Sequence, residues 1–122
     1  MRNYNQLSKK KKKELKEKIN KELEKFYQDN NNNQYNNSIP EDILNRILQI
    51  ACLYEIIEKD CLNNELYSKT VKDSIYGVNS IDAITEQILQ TLNKHPSIYS
   101  IVIEEMLNSP EQSYENYYEM EL

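Results

Sequence analysis

The sequence has very little glycine, proline, histidine and cysteine, and it has no tryptophan. Among 122 residues there are one glycine, three prolines, two cysteines and one histidine. An all-β domain needs many glycine- and proline-containing turns, so this composition argues against one. A single glycine cannot build a phosphate-binding loop, and the lone His95 lies near no nucleophile motif in the sequence. We therefore expect a protein that is not an enzyme.

The two cysteines and the short apolar runs indicate a reducing compartment and no membrane span. If Cys52 and Cys61 lay on one helix they would be about 13 Å apart along its axis, too far for a disulfide. No metal-ligand spacing surrounds them, so both are interpreted as free core thiols. No window approaches the roughly 20 apolar residues of a membrane span, and no apolar segment follows the basic N-terminus as in a signal peptide. The sequence predicts a cytoplasmic protein with no cofactor, no metal and no membrane partner.

Helical periodicity dominates the rest of the sequence and predicts an all-α fold. We expect a small bundle of three to four helices organised around a long central helix over residues 40–62. Its apolar residues recur three or four positions apart, which places them on one face, at Ile43, Ile47, Ile50, Tyr54 and Ile57. This face rotates midway and is wider than the later helices can cover. We therefore predict that these five residues form the subunit interface of a homo-oligomer.

Further segments complete the predicted organisation. A basic N-terminal arm covers residues 1–28, with a helix over 7–28 that Ser8 caps. An Asn-rich flexible linker follows over 29–37, and the core domain spans 38–109. Within that core we expect an irregular loop or a short β-hairpin over 63–78. A third helix over 80–94 is capped by Asn79 or Ser80, and a short fourth helix covers 97–108, where the β-branched run at 101–103 leaves a strand as the alternative.

The charge is distributed unevenly along the chain. Residues 1–25 carry ten basic and four acidic side chains, a net charge of +6, whereas the remainder carries five and sixteen, a net charge of −11. A basic segment on an acidic body is typical of contact with nucleic acid or with an acidic neighbour, and the alternative is a frayed, solubilising helix. The segment lacks the arginines that read bases, so its binding to duplex DNA should be salt-sensitive and non-specific. The predicted DNA-binding residues are Lys9, Lys10, Lys11, Lys12, Lys13, Lys16, Lys18 and Lys21.

The last residues, 110–122, form an acidic tail with four carboxylates, three tyrosines and no basic residue. Such a segment is typical of a short motif that folds onto a protein partner, and plain disorder is the alternative. The predicted partner-binding residues are Tyr114, Tyr117, Tyr118, Glu115 and Glu119.

One arrangement within residues 41–107 is familiar. A long helix carries Leu48, Ala51, Cys52 and the run 54–59, an irregular loop with a late glycine follows, and a capped helix begins at 78–83. A break at 92–97 precedes a short last helix. This layout resembles the small terminase subunits of tailed phages, although Ser80 stands where a proline is usual. The resemblance implies a non-catalytic, oligomeric DNA-packaging component in the host cytoplasm, which passes viral DNA to a large subunit.

A second hypothesis rests on the acidic body. In this hypothesis the chain is a small phage or mobile-element accessory protein that acts by protein–protein binding. It could, for example, inhibit a host defence nuclease, whose basic surface would bind the carboxylates in place of nucleic acid. A packaging subunit should bind duplex DNA more weakly as the salt concentration rises, whereas such an inhibitor should show no affinity for DNA.

Overall fold

The structure, a computed structural model, describes residues 3–29 and 39–108. Five α-helices follow one another in these ranges, and no strand occurs there, so the prediction of an all-α bundle is confirmed. The helices are α1 Lys9–Asp29, α2 Glu41–Leu53, α3 Glu65–Ser74, α4 Ile81–Lys94 and α5 Ile98–Asn108. None of them is both long and apolar enough to cross a membrane. Most of the predicted linker and the whole acidic tail lie outside the described residues.

Helix α1 is part of the core, although the sequence analysis assigned it to a separate arm. Its apolar stripe, Leu15, Ile19 and Leu23, is fully buried, and the helix packs against α2 and α4. The predicted helix over 7–28 is therefore confirmed, but the boundary between arm and core at residue 38 does not separate two units. The core begins near Tyr4, which is itself buried.

A polar contact sets the register of α1 against α4. The Asn20 side-chain amide donates a hydrogen bond to Asp82 Oδ1 at 3.0 Å. The Thr85 hydroxyl, which is buried, donates to Asn20 Oδ1. Sliding either helix by one turn would separate these groups and leave the threonine hydroxyl without its partner, which costs about 1–3 kcal/mol for a buried polar group.

The face of α2 that was predicted to form a subunit interface is buried within the chain. Ile43, Ile47 and Ile57 belong to the core, and Ile50 and Tyr54 are half-buried against it. The prediction failed because it considered only the later helices as cover, whereas α1 supplies much of it. An interface through these side chains would require the bundle to open.

Helix α2 also ends at Leu53 instead of continuing to residue 62. The Ile56 amide donates to the Ala51 carbonyl at 3.3 Å and the Glu55 amide to the Cys52 carbonyl at 2.9 Å, which together form a Schellman cap. Glu55 adopts a left-handed conformation with φ of 63°, which a non-glycine side chain rarely takes. Because the capping residue is a glutamate, the sequence carries no glycine stop signal. A short 3-10 turn, Lys59–Cys61, follows.

The segment over 63–78 is neither a loop nor a hairpin, because it contains helix α3. Asn64 caps this helix, and its side chain accepts a hydrogen bond from the Tyr67 amide at 2.9 Å. Tyr67, Val71 and Ile75 lie four residues apart and are all buried, so they form one narrow helical stripe. Gly77 ends the segment with φ of 81°, the unusual backbone conformation expected of the one glycine.

The last two helices agree with the sequence patterns. Ser80 caps α4 and accepts from the Ala83 amide at 3.2 Å, and Ile84 and Ile88 are fully buried. Helix α5 occupies the segment where a strand was the alternative, and it buries Ile101. Its opposite side stays exposed; we call it the α5 face, formed by Tyr99, Val102, Ile103, Met106 and Leu107. The two cysteines are free, as predicted, with Cys61 buried and Cys52 half-buried.

Candidate nucleic-acid interface

The start of α1 is held in place by two caps and a pair of buried side chains. Asn3 and Gln6 form a capping box around a 3-10 turn, and Tyr4 and Leu7 beside them are buried. Ser8 then accepts a hydrogen bond from the Lys11 amide at 3.2 Å, which confirms it as the cap of α1. The lysine run that follows is thus displayed from a fixed position on the body.

Three of the eight lysines predicted to bind DNA interact with the rest of the chain. Lys16 Nζ lies 2.8 Å from Glu86 Oε2 on α4, and the hydrogen bond between them raises the pKa of Lys16 and lowers the pKa of Glu86. Lys12 Nζ is 5.5 Å from the centre of the Tyr4 ring, and Lys18 Nζ is 5.1 Å from that of Tyr54. These ammonium groups are within cation–π or ion-pair range of their partners.

Four other lysines form what we call the lysine end: Lys9, Lys10, Lys11 and Lys13. All four are exposed, and within the described ranges none lies in an ion pair of 4 Å or less. They occupy the first turns of α1, where the helix macrodipole adds a positive partial charge. Lys21 is also exposed, but it is two turns further along, where Glu17 and Glu24 share the outer side of the helix.

The electrostatic cost of this arrangement indicates what it can do. Like charges at a helix N-terminus destabilise the first turns, because they face each other and the positive end of the dipole. An anion placed there would reduce both the repulsion among the lysines and their unfavourable interaction with the helix dipole. Phosphate groups are anions that helix N-termini and lysines bind. Of the eight lysines predicted to bind DNA, the four of the lysine end are therefore the best placed to bind phosphate. Lys21 lies apart from them.

The structure reveals one cluster that the sequence analysis missed, around His95 at the end of α4. The side chain of His95, the one histidine of the chain, is buried. Its Nε2 lies 2.7 Å from Glu104 Oε2, and its Nδ1 lies 3.3 Å from Ser100 Oγ. The Tyr67 hydroxyl donates to the His95 carbonyl oxygen. The signal that could have revealed it is the placement of Ser100 and Glu104 on α5, one turn apart and facing the end of α4.

The contacts of this serine–histidine–glutamate arrangement link α4 to α5. The Ser100 hydroxyl donates to the Ser97 carbonyl at 2.8 Å, so its hydrogen is not directed at the imidazole. Burial lowers the pKa of His95, while the Glu104 carboxylate opposes that effect. Lys94 Nζ also lies 2.7 Å from Glu104 Oε1. The cluster therefore joins the end of α4 to α5 and fixes the angle at which α5 leaves the bundle.

Two clefts on the surface have the size of a small-molecule site. One, of about 540 Å³, is lined by α2 and α3, where Lys72 forms an ion pair with Glu41 and lowers its pKa. The other, of about 400 Å³, lies between Leu7 and Tyr54. Within the described ranges, no group of three or more His, Cys, Asp and Glu side chains is placed to hold a metal ion.

The predicted partner-binding residues, Tyr114, Tyr117, Tyr118, Glu115 and Glu119, lie outside the described residues. Comparison of the chain with protein-family models, with curated proteins and with solved structures found no match.

Proposed function

We propose that the protein binds the phosphate backbone of duplex DNA through the lysine end, as a non-catalytic DNA-packaging component similar to a small terminase subunit. The observation that carries the proposal is the set of four exposed lysines at the positive end of α1, with no carboxylate paired to them in the described ranges. Each ammonium group can neutralise one phosphate and release its condensed counterions.

The number of available lysines gives the proposal a quantitative form. Four phosphate contacts give a slope of log affinity against log salt concentration of about −3.6, whereas all eight lysines would give about −7. Lys16 is paired with Glu86, Lys12 and Lys18 lie over tyrosine rings, and Lys21 lies apart between Glu17 and Glu24, so the smaller value is expected. The lysine end carries no arginine, so binding should be insensitive to DNA sequence.

The charge of the body orients the complex. The chain beyond residue 25 carries a net charge of −11, which repels DNA from most of the surface. Approach along the axis of α1 is then the favoured path. In the packaging role proposed here, the tail residues Tyr114, Tyr117 and Tyr118 would contact the large subunit, with Glu115 and Glu119 beside them, in the host cytoplasm.

The test uses substitutions, because removal of residues 1–25 would also remove Leu15 and Ile19 from the core. Fluorescence anisotropy with a labelled duplex is measured at several salt concentrations for the double variant Lys10→Gln/Lys13→Gln. We expect at least a tenfold loss of affinity at low salt and a slope smaller by about two. The matched control, Lys59→Gln/Lys69→Gln, removes the same charge from exposed positions on the body. Equal losses in both variants, or no binding by the native protein at low salt, would refute the proposal.

A second candidate is the accessory protein that acts by protein–protein binding, such as an inhibitor of a host defence nuclease. The α5 face favours it, because a contiguous exposed apolar surface commonly marks a protein-binding site. The same anisotropy titration separates the two functions. An inhibitor should leave the duplex unbound even at about 50 mM salt, where non-specific phosphate contacts are strong.

A further inference from the structure

Most of the exposed large apolar side chains in the described ranges lie on one short helix. Seven such residues are exposed there, and five of them form the α5 face. The exposed fractions are 72% for Tyr99, 39% for Val102, 38% for Ile103, 67% for Met106 and 69% for Leu107. Isolated apolar residues are ordinary on protein surfaces, but a contiguous group of this kind is not.

The geometry of α5 gathers these five side chains into a surface without charge. At 100° per residue they cover an arc of about 140°, from Val102 to Leu107. The two carboxylates of the helix, Glu104 and Glu105, project outside that arc, and Glu104 is engaged by Lys94 and His95. The face is thus bordered by polar groups but contains none except the Tyr99 hydroxyl.

The absence of charge on the face distinguishes among possible occupants. Nucleic acid would place phosphates against an apolar surface and gain nothing from it. The acidic residues 110–122 carry four carboxylates, and α5 has no lysine or arginine to receive them. A second copy of the chain meets neither obstacle. Around a two-fold axis the same uncharged arc faces itself, so apolar side chains meet apolar side chains and the carboxylates stay outside.

The area of the face is adequate for a weak dimer. With about 200 Å² for a fully exposed side chain of this size, the exposed fractions amount to roughly 570 Å² per chain. Two copies would bury roughly 1,100 Å², just above the lower limit of about 1,000 Å² for a specific interface, where stable complexes bury about 1,200–2,000 Å². The expected association is therefore reversible and concentration-dependent.

We infer that two copies of this protein associate through the α5 face, with their α5 helices packed across a two-fold axis. Ile43 and Ile47 of α2, which were predicted to lie in a subunit interface, are buried in the core, whereas the α5 face is exposed. The inference does not depend on DNA binding.

Sedimentation velocity of the full chain without DNA tests this dimer between about 1 µM and about 1 mM, the range expected for a small interface. We expect the native protein to shift from monomer to dimer, and Met106→Glu to weaken the association at least tenfold, because it buries an unpaired charge. The control is Leu53→Glu, which alters an apolar residue that is 82% exposed on α2 and should leave the dimer unchanged.

Two results would overturn the inference. A native protein that stays monomeric over the whole range does not associate through this face, and a dimer that Met106→Glu leaves intact uses another surface. Circular dichroism confirms that each variant is folded. If Met106→Glu is not, Tyr99→Lys at the other end of the face replaces it, and the same weakening is expected.

Discussion

Lys16 on α1 lies 2.8 Å from Glu86 on α4, so one lysine of the basic segment serves as a contact between two core helices. The pair is nearly half exposed at both side chains. Water and salt therefore screen it, and its contribution to stability should be in the range of about 0.2–1 kcal/mol. Its main consequence is electrostatic, because the Glu86 carboxylate offsets one positive charge of the basic segment.

A double-mutant cycle of Lys16→Gln and Glu86→Gln measures that contact. We expect a coupling free energy of about 0.2–1 kcal/mol in urea denaturation at low salt, and a value near zero at about 1 M salt. Lys16→Gln should also change DNA affinity less than Lys13→Gln does. If Lys16→Gln weakens binding as much as Lys13→Gln, then Lys16 contacts DNA despite its partner on α4.

Ile19→Ala should destabilise the protein by about 2–5 kcal/mol, because it leaves a cavity where a fully buried side chain packs α1 against the core. Thermal or urea unfolding followed by circular dichroism measures the loss. Lys21→Ala is the control on the exposed side of the same helix, and its effect should stay within about 0.5 kcal/mol. A loss below about 1 kcal/mol for Ile19→Ala would mean that α1 is not packed as described.

Glu55→Gly should raise the free energy of unfolding by about 0.5–1 kcal/mol. Glu55 has φ of 63° at the end of α2, and glycine takes this conformation without a steric penalty. Glu55→Ala removes the same carboxylate but keeps the Cβ atom, so it should give no such gain. The comparison by urea denaturation separates the backbone effect from the loss of side-chain contacts. Equal effects of both substitutions would contradict a strained cap.

Tyr67→Phe should lower the free energy of unfolding by about 1–3 kcal/mol. The Tyr67 hydroxyl is buried and donates to the His95 carbonyl oxygen, which would lose its partner. Tyr54→Phe provides the control, since the Tyr54 hydroxyl makes a long 3.4 Å contact with Glu14 at the surface. That substitution should change stability by less than about 0.5 kcal/mol. Equal effects in urea denaturation would count against a structural role of the Tyr67 hydroxyl.

Stability should rise with pH across the titration of His95. Burial lowers its pKa from the ordinary value of 6.5, so near pH 6 the unfolded chain binds more protons than the folded chain. The stability gained from the neutral imidazole is complete above pH 6.5, and it is lost as the pH falls from there through the folded pKa. Nearby Glu104 reduces the shift and Lys94 increases it.

The measurement is the free energy of unfolding between about pH 5.5 and about pH 7.5, a window above the ordinary carboxylate range. His95→Asn should flatten the pH dependence, whatever its effect on absolute stability. The comparison of slopes keeps general destabilisation from being mistaken for loss of the titration. If the variant keeps the native slope, another group is responsible.

The elements that sequence reasoning located correctly are those whose signals are local. Helix α4 has a serine cap at Ser80 and an apolar stripe through Ile84 and Ile88, and both signals lie within the helix. Helix α3 was missed because its stripe is only one residue wide, and a hairpin can also accommodate Tyr67 and Val71. The end of α2 was missed because Glu55 adopts a conformation that sequence patterns assign to glycine.

The candidate interface could be predicted only in part. The lysine run is obvious in the sequence, and the cap at Ser8 was identified from it. Which lysines remain available depends on residues far away in the chain, such as Glu86 and Tyr54, and no local pattern encodes those neighbours. The burial of His95 likewise results from the packing of α5 against the end of α4.

The contact between Asn20 and Asp82 has a consequence for the order in which the chain can fold. The two residues are 62 positions apart, and the apolar stripe of α1 packs against both α2 and α4, so its burial is complete only when α4 is in place. Closing so long a loop is slow compared with forming local helices. During synthesis, Leu15 and Ile19 emerge from the ribosome early and must wait until residues 81–94 have followed. The nascent chain therefore displays its most basic segment and an unburied apolar stripe together, and it can become compact only late in translation.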